Sequence, residues 1–311
     1  MPEVIEVKKY ADFISKHLLN KQVTQIQILG GRYKKHGAFE NYNSLKNMLP
    51  LKVVNIGTKG KLLWIQFEAT QTKTIIMSFT LGLSGGFLFK TGKKIIFPKI
   101  FSDNQTIIDL EKEKTDIIKF QNTSIKHINL TLKTISGTIG FYDALSYGTI
   151  NVYKTLEKFK KRLATLGPDI MNPNTTFEIF RERILQPKNF NKAIGNVIVN
   201  QKIISGVGNY LRSDILWLVK ISPFRSIKNL KDSELKKIYE ATRHLIWSDY
   251  NKKKGIKLGL VNKKYRTPEY YGRIFFVYQQ NTDPNGKKVS RAELYEGSQK
   301  RIIHFVKGVQ I

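Results

Sequence analysis

The chain has 311 residues, 41% hydrophobic and 25% charged, with 53 Lys and Arg against 24 Asp and Glu and a formal net charge of +29. That length predicts about two domains, the composition is globular and not disordered, and a surplus of this size points to a polyanionic partner, nucleic acid first. The absence of cysteine excludes disulfide scaffolds, catalytic thiolates and thiolate zinc sites.

The first predicted element is a helix from Val4 to about Leu19. Val4, Val7, Phe13, Ile14 and Leu18 fall at helical spacing with Lys8, Lys9, Asp12 and Lys16 between them. Strand signals follow. VTQIQIL alternates from Val23 to Leu29, and LKVVNIG, KLLWIQFE and TIIMSFT come at short intervals, then INLTLKT and GTIGFY. Short β-branched runs at this spacing predict an antiparallel sandwich or barrel. The strand count between Gly85 and Lys126 stays open.

Near residue 150 the texture becomes helical. Phe177, Phe180, Ile184 and Leu185 form one stripe that Pro187 stops. Asn191 to Gln201 reads as a further helix. YLRSDILWLV places Leu211, Ile215, Leu218 and Val219 on one face. A helix from about Ser233 to Trp247 turns Leu235, Ile238, Thr242, Leu245 and Ile246 inward. A Lys-rich connector begins around Asn251. In the tail, GRIFFVYQQ and KRIIHFV read as strands around an Asp-Pro-Asn-Gly turn. The expected division is a β-rich domain over residues 1–150, a helical domain over 151–260 and a small β appendage over 261–311.

The five histidines (His17, His36, His127, His244, His304) have no tandem spacing, so neither metal nor cofactor is expected. The start, MPEVIEVKKY, is no secretion signal, and no window nears the ~18 apolar residues of a membrane helix. A soluble protein is expected, intracellular or packaged with nucleic acid.

Few residues invite chemistry. If Met1 is removed, Pro2 carries a secondary amine, and α-amino groups have a reference pKa of about 8. Attack by such an amine on a sugar C1′ would give an iminium by the logic of a lysine Schiff base, with Glu3 beside it as a general acid. Many chains begin Met-Pro-Glu without any such role, and on the dipeptide alone that account is favoured. Lys61, in GTKGKLLWIQF, could hold a phosphate or be one more solvated lysine. The stretch NQKIISGVGNYLRSDILWLVKISPFR, Asn200 to Arg225, is more specific. A helix, a Gly-rich turn and a second helix aim backbone N–H groups at a phosphate. Asn209 adds a side-chain donor, and Gly206 and Gly208 allow close approach. Arg301, in KRIIHF, suits bidentate phosphate binding or is an ordinary basic surface residue.

Pro2-Glu3, the GKLL lysine, LGLSG (Leu81 to Gly85), LGPD (Leu166 to Asp169), QKIISGVGNYLRSDIL and KRIIHF occur in that order. The series resembles the formamidopyrimidine-DNA glycosylase and endonuclease VIII (Fpg/Nei) family over nearly the whole chain, thinly between Gly86 and Ile135. The cysteine-free tail with its DPNG turn is similar to members with a zincless finger. The resemblance implies an α+β protein with an N-terminal antiparallel β-sandwich and flanking helix, a helix-two-turn-helix domain and a C-terminal zincless-finger β-hairpin. It implies a bifunctional DNA glycosylase and AP lyase of base-excision repair, a monomer acting on damaged DNA, with oxidised pyrimidines favoured and formamidopyrimidines close behind. Pro2 would be the Schiff-base nucleophile, Glu3 the general acid, Glu6 a supporting residue, and Lys61 a phosphate contact and proton donor for β-elimination. Asn209, beside Gly208, and Arg301 would clamp phosphates, with a part in δ-elimination open to Arg301. Leu83 and Tyr147 would fill the gap left by the extruded base.

Three positions depart from the family pattern. The start reads Pro-Glu-Val-Ile-Glu, which keeps Glu6 and lacks the second proline. The Asp-x-Arg-x-Phe-Gly loop is here Asp143-Ala-Leu-Ser-Tyr147-Gly148, with Leu145 in the arginine's place. Asp214 stands where Glu is frequent. A non-catalytic DNA-binding paralogue on the same fold is the rival reading, and a basic RNA-binding or packaging protein ranks behind it.

Overall fold

Helix α1, Val4–Leu18, forms where the sequence predicts it. Glu3 caps it in an extended conformation, and its backbone N–H donates to Glu6 Oε2 at 2.7 Å as part of a capping box. Val7, Ile14 and Leu18 are buried as expected, and Ile5, Tyr10 and Ala11 join them. The apolar face is thus wider than the five residues that announced it. These contacts belong to a computed structural model that describes residues 2–70, 73–100, 106–109, 125–296 and 299–311. The chain folds as two compact units, Met1–Ala164 and Thr165–Ile311.

The first unit is an antiparallel sandwich. Its strands are β1 (Gln22–Val23), β2 (Gln25–Ile28), β3 (Leu51–Lys59), β4 (Leu62–Thr70), β5 (Lys73–Thr80), β6 (Gly85–Thr91), β7 (Lys94–Phe97), β8 (Thr106–Asp109), β9 (Ile128–Thr134), β10 (Gly137–Asp143) and β11 (Thr149–Tyr153). One sheet has the order β1-β3-β4-β5-β11 and the other β2-β9-β10-β6-β7-β8. The open stretch after Gly85 contributes β6, β7 and β8, and residues 101–105 and 110–124 lie outside the described residues. Short helices α2 (Gly31–Lys35) and α3 (Tyr42–Lys46) precede β3, and α4 (Leu156–Ala164) follows β11.

The two sheets meet through Phe79 of β5 and Phe87 and Phe141 of β6 and β10, whose ring centroids lie 5.2–5.4 Å apart. Helix α1 packs on β3 and β4 of one sheet and on β6 and β10 of the other. VTQIQIL is not the single strand its alternation predicts. The chain breaks at Thr24, so that Val23 pairs with Leu51 in one sheet while Gln25–Ile28 pairs with β9 in the other. Val23 and Ile26 are both buried. Three residues apart, they would face opposite ways in a continuous strand, and the switch of sheets turns both inward.

The second unit contains α5 (Phe177–Ile184), α6 (Ile194–Val197), α7 (Asn209–Leu218), α8 (Asp232–Lys257) and a hairpin of β12 (Ser290–Glu296) and β13 (Gln299–Phe305). Thr176 caps α5 by accepting from the Ile179 N–H. The helix expected over Asn191–Gln201 is only the one turn of α6, because Ala193 before it is extended, at φ −65° and ψ 137°. The Ile194 and Gly195 N–H groups donate to the carbonyls of Arg225 and Pro223. The connector expected at Asn251 is helical on its far side. Asn251 alone leaves helical geometry, at φ −159° and ψ 87°, and its side chain then caps the continuation by accepting from the Lys254 N–H.

Helix α7 departs most from expectation. Residues Tyr210 to Trp217 are all buried, polar ones included, while Leu218 is only half-buried. The Arg212 guanidinium donates to the carbonyls of Gly195 and of Ile302 in β13. The Asp214 carboxylate accepts three consecutive backbone N–H groups, from Phe276, Val277 and Tyr278, at 2.9–3.1 Å. Successive amides of a strand point to opposite sides, so GRIFFVYQQ is not the strand its β-branched and aromatic content predicts. Asp283 anchors the neighbouring turn. It accepts from Trp217 Nε1 and from the N–H groups of Asn285 and Lys287. The DPNG turn therefore forms but supports a single bridge, Thr282 with Lys288, and the hairpin proper lies later, with Arg301 opposite Leu294.

Burial pushes the Asp214 carboxyl up to about 6, although the three N–H bonds pull it down. Folding therefore favours the protonated form. This group's contribution to stability is full below about pH 4 and falls as pH rises through about 6. The stability difference between the wild type and Asp214→Asn, followed by thermal unfolding, should shift against the wild type between pH 4 and 7. Asp214→Ala should also strip amide-exchange protection from residues 276–278. A difference independent of pH together with unchanged exchange would show that the carboxylate does not hold this segment.

Candidate functional site

In the first unit, three of the singled-out residues meet at the head of α1. Pro2 is half-buried, Glu3 is fully buried and Glu6 is 2% exposed. Two carboxylates in one apolar setting are tolerated because the helix N-terminus turns its amides toward them. Pro2 is therefore the residue immediately before the N-cap of a largely buried helix. Lys61 is half-buried in the Gly60-Lys61 turn between β3 and β4, whose closing pair is Lys59 with Leu62. It precedes the strand rather than starting it. The two strands joined by that turn are ones on which α1 packs.

Leu83 and Tyr147 come from distant loops that are stitched together. The Ser84 hydroxyl donates to the Asp143 carboxylate and accepts from the Leu145 N–H, and the other Asp143 oxygen accepts from the Gly148 N–H at 2.6 Å. Gly82, at φ +57°, lies so close that a Cβ there would stand 2.7 Å from the Gly148 nitrogen. The stitching leaves Leu83, Leu145 and Tyr147 46%, 52% and 61% exposed. Three large side chains thus stand exposed at the tips of two loops that hydrogen-bond to each other. Ser84 is the residue that sequence reasoning missed here. Its partner lies 59 positions away, and a lone serine beside glycine carries no signal of that pairing.

In the second unit, the Gly-rich turn is clasped by Gln201. Its Oε1 accepts from the Gly206 N–H and its Nε2 donates to the carbonyls of Val199 and Val207. Gly206 adopts φ +120°, a conformation that favours glycine. LGPD packs on the same turn, with the Ser205 N–H donating to Pro168 and the Ser205 hydroxyl to Gly167. Gly208 is the N-cap of α7 and contributes no side chain over its first turn.

Asn209 and Arg301, far apart in the chain, line one cavity of about 520 Å³ together with Tyr278, Arg291, Lys300 and His304. Asn209 is half-buried and its Oδ1 makes no hydrogen bond. His304 is 6% exposed, and burial followed by the Arg291 and Arg212 charges holds its pKa down, which favours the neutral ring. Lys300 is paired with Glu293. Among the described residues no carboxylate lines the cavity, and Arg291, Lys300 and Arg301 give it a basic lining. Such a site suits an oxyanion, with guanidinium forks and an amide as donors. Gln201 and Arg291 are further residues that sequence reasoning passed over. Gln201 lies inside the motif, but its clasp depends on a fold that brings its side chain back over the turn.

Among the described residues no helix is long and apolar enough to cross a membrane. Residues 1–150 match the formamidopyrimidine-DNA glycosylase N-terminal domain and residues 166–258 the formamidopyrimidine-DNA glycosylase H2TH domain. Endonuclease 8 of Shigella boydii is 25% identical over 241 residues, 76% of this chain and 74% of that protein. Endonuclease 8 of Escherichia coli strain 55989 matches at the same identity and coverage. The Lactococcus lactis formamidopyrimidine DNA glycosylase, in a structure non-covalently bound to DNA containing an AP site, shares the fold at a TM-score of 0.70 and 18% identity, over 99% of both chains. The same enzyme with DNA containing an oxidized pyrimidine aligns at a TM-score of 0.68 and 19% identity, again over 99% of both chains. The chain belongs to the formamidopyrimidine-DNA glycosylase and endonuclease VIII (Fpg/Nei) family, the DNA glycosylases with AP lyase activity that serve base-excision repair.

Proposed function

We propose that this chain removes oxidised bases from DNA, pyrimidines in preference to formamidopyrimidines, and nicks the strand by β,δ-elimination through a Schiff base on Pro2. The observation that carries the reading is the head of α1, where Pro2 precedes a capped helix with Glu3 buried beside it. The pyrimidine preference rests on the resemblance of the cysteine-free tail to the zincless-finger members of the family.

The chemistry needs Met1 removed, so that the Pro2 nitrogen is a secondary amine. That nitrogen attacks C1′ of the damaged nucleotide and loses its proton. The glycosidic bond breaks, and Glu3 protonates the departing base or the opening ring oxygen. The iminium that remains acidifies C2′; water takes the C2′ proton, the C3′–O bond breaks, and Lys61 donates a proton to the departing 3′ phosphate. Expulsion of the 5′ phosphate and hydrolysis of the adduct then return the free amine. Asn209 and Arg301 hold phosphates beside the reacting nucleotide. Their shared cavity, free of carboxylates, supports that role. Leu83 and Tyr147 fill the place of the extruded base, a role supported by their exposure on braced loops.

Three outcomes test this reading. Borohydride reduction on an oligonucleotide with one abasic site should trap a covalent adduct that mass mapping assigns to Pro2, and Pro2→Gly should lose most of it. Folded protein that has lost Met1 and binds this DNA without forming an adduct would instead be the non-catalytic paralogue. Glu3→Gln should slow release of an oxidised pyrimidine by about 10²–10⁴-fold, the usual worth of a general acid, while trapping on a preformed abasic site persists. Equal loss of both activities would place Glu3 in folding and not in base release. Tyr147→Ala should weaken excision from duplex by about 5–150-fold, from a stacking contribution of roughly 1–3 kcal/mol. The loss should be smaller on a single strand, where no gap needs filling. Equal losses on both substrates would remove Tyr147 from the wedge.

A further inference from the structure

We propose that the C-terminal hairpin carries a second phosphate site, formed by Lys288, Arg291 and Lys307, which takes a backbone phosphate of the same nucleic acid that Asn209 and Arg301 hold. The inference rests on the proposed DNA-binding role of that first pair. A cavity of about 620 Å³ opens beside the first, lined by these three cations with Gln280, Asn281 and Ser290, over a floor that includes Val289 and Phe305. Arg291 lines both cavities. It stands opposite His304 in the hairpin register, while Ser290 stands opposite Phe305. One guanidinium is therefore shared by two basic cavities.

The two lysines are carried by pinned backbone. Lys288 follows the turn held by buried Asp283, bridges to Thr282, and is followed by the Val289 N–H donating to the Asn281 carbonyl. Lys307 follows β13 in a turn closed by buried Gln310, which accepts from the Val306 N–H and donates to the Ile221 carbonyl. Lys288, Arg291 and Lys307 are exposed, so their heads can meet a ligand without first being uncovered. Among the described residues no carboxylate lines the second cavity. Three like charges converge there on amide and hydroxyl groups, which suits a phosphodiester. Bound phosphates release condensed counterions, so binding at this site should register in the salt dependence of affinity.

The test is fluorescence anisotropy of the full chain on undamaged and on abasic-analogue duplex across a salt series. The double variant Lys288→Ser/Lys307→Ser should flatten the slope of log affinity against log salt by about 0.9 for each phosphate that is no longer neutralised, equally on both DNAs. Lys236→Ser/Lys237→Ser removes the same charge from the exposed face of α8 and should leave the slope nearly unchanged. Equal flattening by both pairs would mean diffuse charge, and no flattening by the first pair would mean that these lysines meet no phosphate. Either result overturns the site. Inorganic phosphate titrated at matched ionic strength should displace the duplex no better than chloride does. Selective displacement by phosphate that the Lys288 and Lys307 substitutions abolish would assign the pocket to a free anion instead. Absence of an adduct on Pro2 would sink the proposed lyase chemistry while leaving the slope measurement valid, so the two readings fail separately.

Discussion

The hydrogen bonds from three successive amides to the buried Asp214 carboxylate decide the second unit. They tie residues 276–278 to α7, and Arg212 ties β13 to the same helix. Asn209 stands at the first turn of that helix and Arg301 on that strand. Their shared cavity therefore inherits its geometry from bonds that touch no ligand. A buried carboxylate without a cationic partner is costly unless its lone pairs are filled. Here backbone N–H groups fill them, and the same bonds forbid the strand that the side chains of GRIFFVYQQ would otherwise favour.

The first unit uses the same device at a different place. The head of α1 buries two carboxylates and satisfies them with backbone N–H groups, while the wedge loops are braced by Ser84 and Asp143. In both units most of the residues put forward for chemistry or binding come from helix starts and turns, where backbone donors are unpaired by regular structure, while Arg301 stands on a hairpin strand. The sandwich core gives those ends their rigidity. The Phe79, Phe87 and Phe141 cluster fixes the sheets to each other, and α1 cannot tilt without disturbing both.

What is legible in the sequence follows the range of the interactions responsible. Helix α1, the stripe of α5 and the inward face of α8 are set by spacing within one element, and they stand where periodicity puts them. Pro2, Glu3, Asn209 and Arg301 stand out through an ordered series of short motifs. The sheet switch at Thr24, the Asp214 amide cluster and the Ser84 stitch depend on partners up to 109 positions away along the chain. No local pattern encodes such partners. The polar face of α7 shows why. Arg212, Ser213 and Asp214 look like the solvated side of an amphipathic helix, yet they are buried because each has a partner in the C-terminal segment.

Leu145 sharpens how the proposed activity would divide its labour. An arginine at that loop position would offer hydrogen-bond donors to the base left unpaired by extrusion, whereas a leucine can only exclude water and fill space. The exposed side chains Leu83, Leu145 and Tyr147 would make the proposed wedge almost wholly apolar, with the Tyr147 hydroxyl as its one polar side-chain group. Apolar wedging acts on any base step, at a cost set by how easily the step unstacks. The +29 charge adds affinity that is equally blind to sequence. Selection of a lesion under this reading falls to the extruded base and its ease of leaving the stack, and not to the base it leaves behind.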